Sequence, residues 1–468
     1  MVVGMAKVSF LRGALLGSAA ILSAAWLLAA SQAGAQTLNE VLSNAYTNNP
    51  TLGAARAAVR ATDEGVPQAL SGWRPTVNLT GEAGVLRQDY KPNTASTMSD
   101  TINPTSLGVS VTQPLYRGGR VEALTDSAEA LVQAARQDLA STERRVLQDS
   151  VTAYMDVLRD QAVVDLTRNN EGVLRRQLEA TRERFRVGEI TRTDVAQAES
   201  RLSRATADRI SAEGALISSR ATFARITGLQ PGRLVPPPPL PTLPANEDEA
   251  ISIGDKENPE LQAAQFRELS ARADVRAASG ALLPSVSLNA SAARTTEQSR
   301  ADLDLNTARA SIQVTVPLYE AGGVYSQTRQ RKQTFNQRRI QVDEQRRLVR
   351  QSVTQAWENL NTARSNINAR KAQVQASRIA LEGVQQEAEV GSRTTLDVLD
   401  AEQEYLDAQV AQVRAERDEY VAGFVLYSAV GRLSARNLSL PVQLYDPAEN
   451  YTRVRDLWFG TDGGLDVE

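Results

Sequence analysis

Apolar positions along the chain follow two rhythms in turn. Val77, Leu79, Gly81, Ala83 and Val85 alternate with Thr76, Asn78, Thr80 and Glu82, and Leu107, Val109 and Val111 alternate with Ser106, Gly108, Ser110 and Thr112. The same rhythm returns at Val286, Leu288, Ala290 and Ala292, and again at Ala310, Ile312, Val314 and Val316. Alternation of this kind predicts strands with one apolar face, over about 76–89, 105–113, 285–294 and 307–316. Pro75, Pro114, Pro284 and Pro317 lie just outside them, where a missing N–H costs a ladder least. Between the strand pairs the rhythm is helical. Leu124, Ala128, Leu131, Ala135 and Leu139 form one stripe, and Leu147, Val151, Tyr154 and Leu158 another, in a stretch Arg120–Val187 that has no Pro. A continuous helix of that length extends roughly 100 Å. Val324–Val390 predicts a second of the same kind, too long for a globular core and suited to coiled-coil-like packing. Shorter helices, Arg192–Ile226 and about Ala45–Gly72, together match one long helix and can stack end to end beside it.

The chain is an internal duplication at an offset of about 200 residues. Asn49-Pro50-Thr51-Leu52 returns as Asn258-Pro259-Glu260-Leu261, QPLYRGG from Gln113 as VPLYEAGG from Val316, and VGEITRTDVAQAE from Val187 as VGSRTTLDVLDAE from Val390. Five segments follow. Residues 1–35, with Lys7, Arg12, an apolar run and Ala33-Gly34-Ala35, read as a secretory signal peptide. Residues 36–230 and 259–433 are the two repeats, 231–258 a Pro-rich linker at mid-height, and 434–468 an equatorial tail.

The predicted strands have the length of tilted bilayer-spanning strands. Trp73, Tyr116 and Tyr319 at their inner ends and Tyr90 past an outer end suit either an interfacial girdle or plain corner packing. Four strands cannot close a barrel, and an open edge in lipid leaves backbone groups unsatisfied. Closure therefore needs further copies: two give eight strands and a filled lumen, three give twelve and an open bore. The expected fold is mainly α with a small membrane β-barrel: a long α-helical barrel plus four strands per protomer, twelve-stranded as a homotrimer. Composition removes much chemistry. With no Cys and no His, thiol nucleophiles, His relays and the usual zinc and haem sites are absent. The 52 basic and 55 acidic residues leave no nucleic-acid footprint. No enzyme activity, metal or cofactor is expected.

The paired Asn-Pro and Pro-Leu-Tyr motifs and the run VGSRTTLDVLDAEQEYLDAQ resemble the TolC-type outer-membrane efflux proteins over nearly the whole mature chain. The tail LPVQLYDPAENYTRVRDLWFG resembles members that serve type I secretion. The resemblance implies a trimeric channel-tunnel in outer-membrane lipid with a large periplasmic helical part. It would dock a periplasmic membrane-fusion adaptor and an inner-membrane ABC or proton-driven pump. Multidrug efflux alone and a non-transporting periplasmic coiled-coil adaptor are the alternatives.

The two helical tips hold the candidate site. Gly188 and Gly391 suit the residue past a helix end, where positive φ favours glycine. Thr191 with Asp194, and Thr394 with Asp397, have capping-box spacing, which would by itself account for both aspartates. Arg393 and Asp400 face Ile190 and Gln197 in the other repeat, so no turn shared by both halves requires them. Asp397 and Asp400, three apart on one helix face, read either as an acidic ring at the narrow end, with pKa values raised by mutual repulsion, or as a solvated acidic face. By resemblance Asp397 and Asp400 fall at the constriction. Arg393 falls on the arginine that ties one hairpin to its neighbour at Thr193 and Asp194. Ala388 stands where some relatives have a tyrosine, so part of that closure is missing.

Overall fold

The computed structural model describes residues 36–90, 98–299 and 302–461; the signal-peptide reading of residues 1–35 lies outside them. In chain order the elements are α1 (Leu38–Asn48), α2 (Pro50–Asp63), α3 (Gly65–Leu70), β1 (Thr76–Ala83), β2 (Leu86–Tyr90), β3 (Met98–Ile102), β4 (Thr105–Arg117), α4 (Arg120–Arg186) and α5 (Arg192–Thr227). The second half has α6 (Glu247–Glu257), α7 (Pro259–Gly280), β5 (Ser285–Thr296), β6 (Leu305–Thr315), α8 (Gly323–Glu389), α9 (Thr395–Ala429) and the tail helix α10 (Pro447–Val454). Both long helices have 67 residues. No described helix is long and apolar enough to cross a membrane.

The helices form one wall. Near the strands its order is α2 and α3, α4, α7, α8; toward the tips it is α5, α4, α9, α8. The short helix expected over Ala45–Gly72 begins earlier, at Leu38, and is cut at Asn49. That cut explains the Asn-Pro repeat. Asn49 Oδ1 accepts from the N–H groups of Thr51 and Leu52 at 2.8 and 3.3 Å, with Pro50 at the first helical position, where its missing N–H is harmless. Its Nδ2 donates to the Ile226 carbonyl at the end of α5, at 2.7 Å. Asn258 repeats every bond: Oδ1 to Glu260 and Leu261 N–H at 2.9 and 3.4 Å, and Nδ2 to the Ala429 carbonyl ending α9 at 3.0 Å. Each asparagine thus starts one stacked helix and fastens it to the end of the other. At Gly431 (φ +88°) the backbone also passes so close to Glu257 and Asn258 that a Cβ would lie 2.6 Å from a carbonyl oxygen.

A belt surrounds these junctions. The linker runs without helix from Leu229 to Ala245. Tyr154, buried in α4, has its hydroxyl 2.6 Å from the Val235 carbonyl and 3.0 Å from that of Gln36. Burial pushes the Tyr154 phenol up to about 12. The tail starts in this belt, where Arg432 pairs with Glu257 and Tyr445 N–H donates to Tyr46. It then leaves the mid-height expected for it and climbs along α2 and α4 toward the strands. Buried Asn450 donates to buried Asp63 at 2.8 Å, Arg455 and Tyr451 reach Glu129, and Arg74 binds the Leu457 carbonyl at 2.6 Å.

The main sheet has the order β1-β4-β5-β6, all antiparallel. All four strands depart from the sequence pattern at a boundary, β6 by starting at Leu305, two residues before the expected 307, and ending at Thr315. The segment expected over 76–89 divides after Ala83: Ala83 pairs with Thr105, and the next partner, Pro104, has no N–H to offer. β2 instead pairs with β3 as a separate ribbon. β4 runs four residues past the expected end at residue 113, through Pro114, and its register shifts between Pro114 and Tyr116, a bulge that tolerates proline. β5 continues to Thr296.

Candidate functional site

Register across the sheet sorts side chains onto two faces. Val77 pairs with Val111, Leu79 with Val109, Val111 with Ala290, Val286 with Val314, Leu288 with Ile312 and Ala290 with Ala310. The opposite face carries Asn78 with Ser110, Ser110 with Ser291, Ser291 with Arg309, and Asn289 with Ser311. One face is an apolar band, interrupted by Gln113 opposite Leu288 at its inner end and by Arg294 opposite Leu107 and Asn306 opposite Arg294 at its outer end, and the other is polar, the division a water-filled barrel in lipid requires. Tyr116 pairs with Val286 and so lies on the apolar face at its inner end. Among the described residues, neither β1 nor β6 has an outer neighbour.

At the far end of the wall the two tips are built alike. Gly188 and Gly391 have φ of +78° and +79°. The amides that follow turn back onto the helix, Glu189 N–H to the Arg184 carbonyl and Ser392 N–H to that of Glu387, both at 2.9 Å. Thr191 Oγ1 accepts from Asp194 N–H at 3.3 Å, and Asp194 Oδ2 accepts from Thr191 N–H and Oγ1 at 2.9 and 2.8 Å. Thr394 and Asp397 repeat all three distances. The capping box is complete in both. Hydrogen bonds from Thr191 to Asp194 and from Thr394 to Asp397 hold both carboxyls below the usual carboxylate range. For Asp397 this is the reverse of the upward shift expected from crowded like charges: within a protomer its carboxylate is turned back onto its own helix start.

The tips differ in their charged partners. In the first, Arg184 pairs with Glu189 at 3.0 Å. In the second, Glu387 occupies the position equivalent to Arg184 and takes Arg393 at 2.8 Å. Among the described residues of one chain, Arg393 does not bond Thr193 or Asp194; Thr193 is exposed at the start of α5. Asp400 pairs with Arg201 of α5, joining the two hairpins beside a small apolar contact of Leu174, Ala205 and Leu399. Sequence reasoning missed both Glu387 and Arg201. Glu387 lies six residues before Arg393 across the turn, much as Arg184 precedes Glu189, so the repeat carried that signal. Arg201 carried none, because its pairing depends on which helices meet.

Comparison with known proteins agrees with this geometry. The family described as "Outer membrane efflux protein" matches residues 41–229 and 251–432. The outer membrane efflux protein BepC of Brucella suis biovar 1 is 36% identical over 444 residues, 95% of this chain and 96% of that one. The outer membrane protein TolC of Vibrio cholerae serotype O1 is 27% identical over 425 residues, covering 89% and 95%. Among solved structures, the CmeC outer membrane channel of Campylobacter jejuni superposes with a TM-score of 0.76 at 16% identity, over 90% of this chain and 89% of that one.

Proposed function

Because the chain belongs to the outer membrane efflux protein family, it is an outer-membrane channel of the efflux and type I secretion class, and we propose that three copies build one duct held shut at its periplasmic tips. The sheet carries this reading: four strands, both edges open among the described residues, one face mainly apolar and one polar. Backbone groups along β1 and β6 find no water in lipid, so β6 of each copy pairs with β1 of the next. The third copy completes twelve strands around an open bore. Proteins of this kind are channels rather than enzymes, and they work with adaptor and pump partners. Here the tips would meet a periplasmic membrane-fusion adaptor, which links the duct to an inner-membrane ABC or proton-driven pump.

The gate in this reading is Arg393. In the closed trimer it bridges from its own Glu387 to Thr193 and Asp194 of the next copy, while Arg201 and Asp400 hold the two hairpins of one copy together. Exposed ion pairs are each worth about 0–1 kcal/mol, so three copies form a latch that partner docking can release. Gly188 and Gly391 shape the turns, and Asp397 and Asp400 line the narrow end. Single-channel recording in planar bilayers tests the gate. Arg393→Ser should raise the conductance of the resting trimer several-fold, while Glu387→Gln, which frees Arg393 for its neighbour, should not. An unchanged conductance in Arg393→Ser removes this residue from the gate.

A further inference from the structure

Beyond α10 the tail presents a surface that no described residue fully covers. Val454 is buried against the wall, but three residues later the character reverses: Leu457, Trp458 and Phe459 are 47%, 58% and 86% exposed. They are nevertheless held in place. Arg74 donates to the Leu457 carbonyl at 2.6 Å and lies 4.9 Å from the centre of the Trp458 ring. Arg74 stands two residues before Thr76, the first residue of β1. The tail therefore delivers this apolar segment to the level where the sheet's apolar band stops, at Val77, Val286 and Val314. Exposed Tyr116, Leu318 and Tyr319 lie at the same ends of the strands.

We propose that Leu457-Trp458-Phe459 is a lipid-contacting foot, resting in the headgroup layer of the inner leaflet of the outer membrane. The inference rests on the outer-membrane channel reading, because that reading sets the height of the bilayer on the sheet. Continuity with the apolar band selects lipid as the occupant. Tryptophan, with an apolar ring and one N–H donor, is favoured at that depth. Arg74 contributes a cation where lipid phosphates lie, and its contact with the Trp458 ring fixes the foot to the start of the membrane-spanning strand. A tip-docking partner is excluded by distance, since the whole of α4 separates the foot from the tips.

The test uses the full mature chain reconstituted in phosphatidylethanolamine vesicles, with bromine placed either high or low on the acyl chains. Beyond residue 35 the chain has only Trp73, Trp357 and Trp458, and Trp458→Phe, at an exposed position, keeps the fold. Shallow bromines should quench the wild-type emission more than deep ones. Trp458→Phe should lose about half of that bromine-dependent quenching, the remainder coming from Trp73 at the same interface. Equal quenching in both proteins overturns the proposal. So does a Trp458 signal quenched by aqueous iodide, which puts the ring in water or in the lumen, or one shielded from bromine and iodide alike, which puts it under a neighbouring copy. Conductance of the same vesicles is recorded alongside. Normal channels with a lipid-blind Trp458 defeat the foot alone, whereas a chain that neither inserts nor conducts defeats the channel reading with it.

Discussion

The two long helices α4 and α8 have the same length and the same place in their repeats, yet α4 buries 22 residues and α8 only 8. The difference is one of neighbours. α4 has a helix on each side, with α2 and α5 on one flank and α7 and α9 on the other, while α8 has α7 and α9 on one flank, only the short α6 beside it at mid-height through Arg350–Asp255 and Thr354–Glu247, and no further helix among the described residues. The buried residues of α8, Val349, Val353, Ala356, Leu360 and Ile367, follow one stripe, and exposed Ile340 projects from the opposite side of the helix. On α5, at the other end of the wall, exposed Ile210 and Ile217 similarly face away from buried Ala198, Ala205 and Ala212. A duplicated sequence has thus produced one central helix and one edge helix, and the wall ends where the sheet ends. The apolar residues left over on α8 and α5 are the helical counterpart of the open edges of β6 and β1.

The sharpest way to break this comparison is to place a charge on each helix. Val151 of α4 is fully buried, so Val151→Asp should prevent the protomer from folding, because an unpaired buried carboxylate costs several kcal/mol. Ile340 of α8 is 64% exposed in the protomer. Ile340→Asp should keep the helical circular dichroism of the protomer but abolish the trimer band on native gels, since three charges would enter three subunit contacts. A trimer as stable as wild type would show that this side of α8 faces solvent.

Where the repeats are alike, equal effects are expected. Asn49→Ala and Asn258→Ala each remove a helix cap and leave a buried carbonyl, of Ile226 or Ala429, without its donor. Both should destabilise by about 2–4 kcal/mol, measured as the shift in the denaturant midpoint at constant slope. A much smaller effect at Asn49 would mean that the two junctions are not equivalent in energy despite their matching bonds.

The pattern of residues carried the fold because it follows local rules. Alternation located all four strands of the main sheet, unbroken periodicity predicted α4 and α8 to within a residue or two, and Thr-x-x-Asp marked both tip caps. Failures came where the deciding contact was distant. Pro104 divides the first strand from across the ladder, and Pro114 lies inside β4 because a bulge absorbs it. The tail's climb to Arg74 depends on Asp63 and Glu129, which are more than 300 residues away in sequence. At the tips Arg393 and Asp400 stood out as charges without a repeat partner, but Arg201, which neutralises Asp400, could not be found without knowing that α5 meets α9.

That pairing sharpens the contrast between the halves at the site itself. Asp400→Asn removes one negative charge per copy and leaves the Arg201 guanidinium uncompensated, so the narrow end gains one net positive charge per copy at that level. The reversal potential in a salt gradient should move toward anions, by more than for Asp194→Asn, whose carboxylate serves its own helix cap. A shift no larger than that of Asp194→Asn would place Asp400 outside the conduction path.

The smallest expected effect lies two residues further along α9. Arg182 donates to Glu199 at 2.7 Å in the first hairpin, and Gln385 donates to Glu402 at 2.9 Å at the equivalent place in the second. The first carboxylate has a counter-charge and the second has only an amide. Burial accordingly raises the Glu402 pKa, with the Gln385 bond opposing it. For an acid raised in the folded state, the stabilising contribution is complete while the group is protonated, below its unfolded pKa, and is lost as pH rises through the folded value. Glu402→Gln keeps an acceptor for Gln385 and removes the charge. It should therefore stabilise the second tip above the carboxylate range by under about 1 kcal/mol, solvent screening included, and should match wild type at acid pH. Hydrogen exchange of the first turns of α9, taken as a mutant-to-wild-type ratio at each pH, reads this difference. Glu199→Gln should go the opposite way, because it breaks an ion pair instead of relieving a buried charge. If both variants moved protection in the same direction, the charge asymmetry between the two tips would have no energetic consequence.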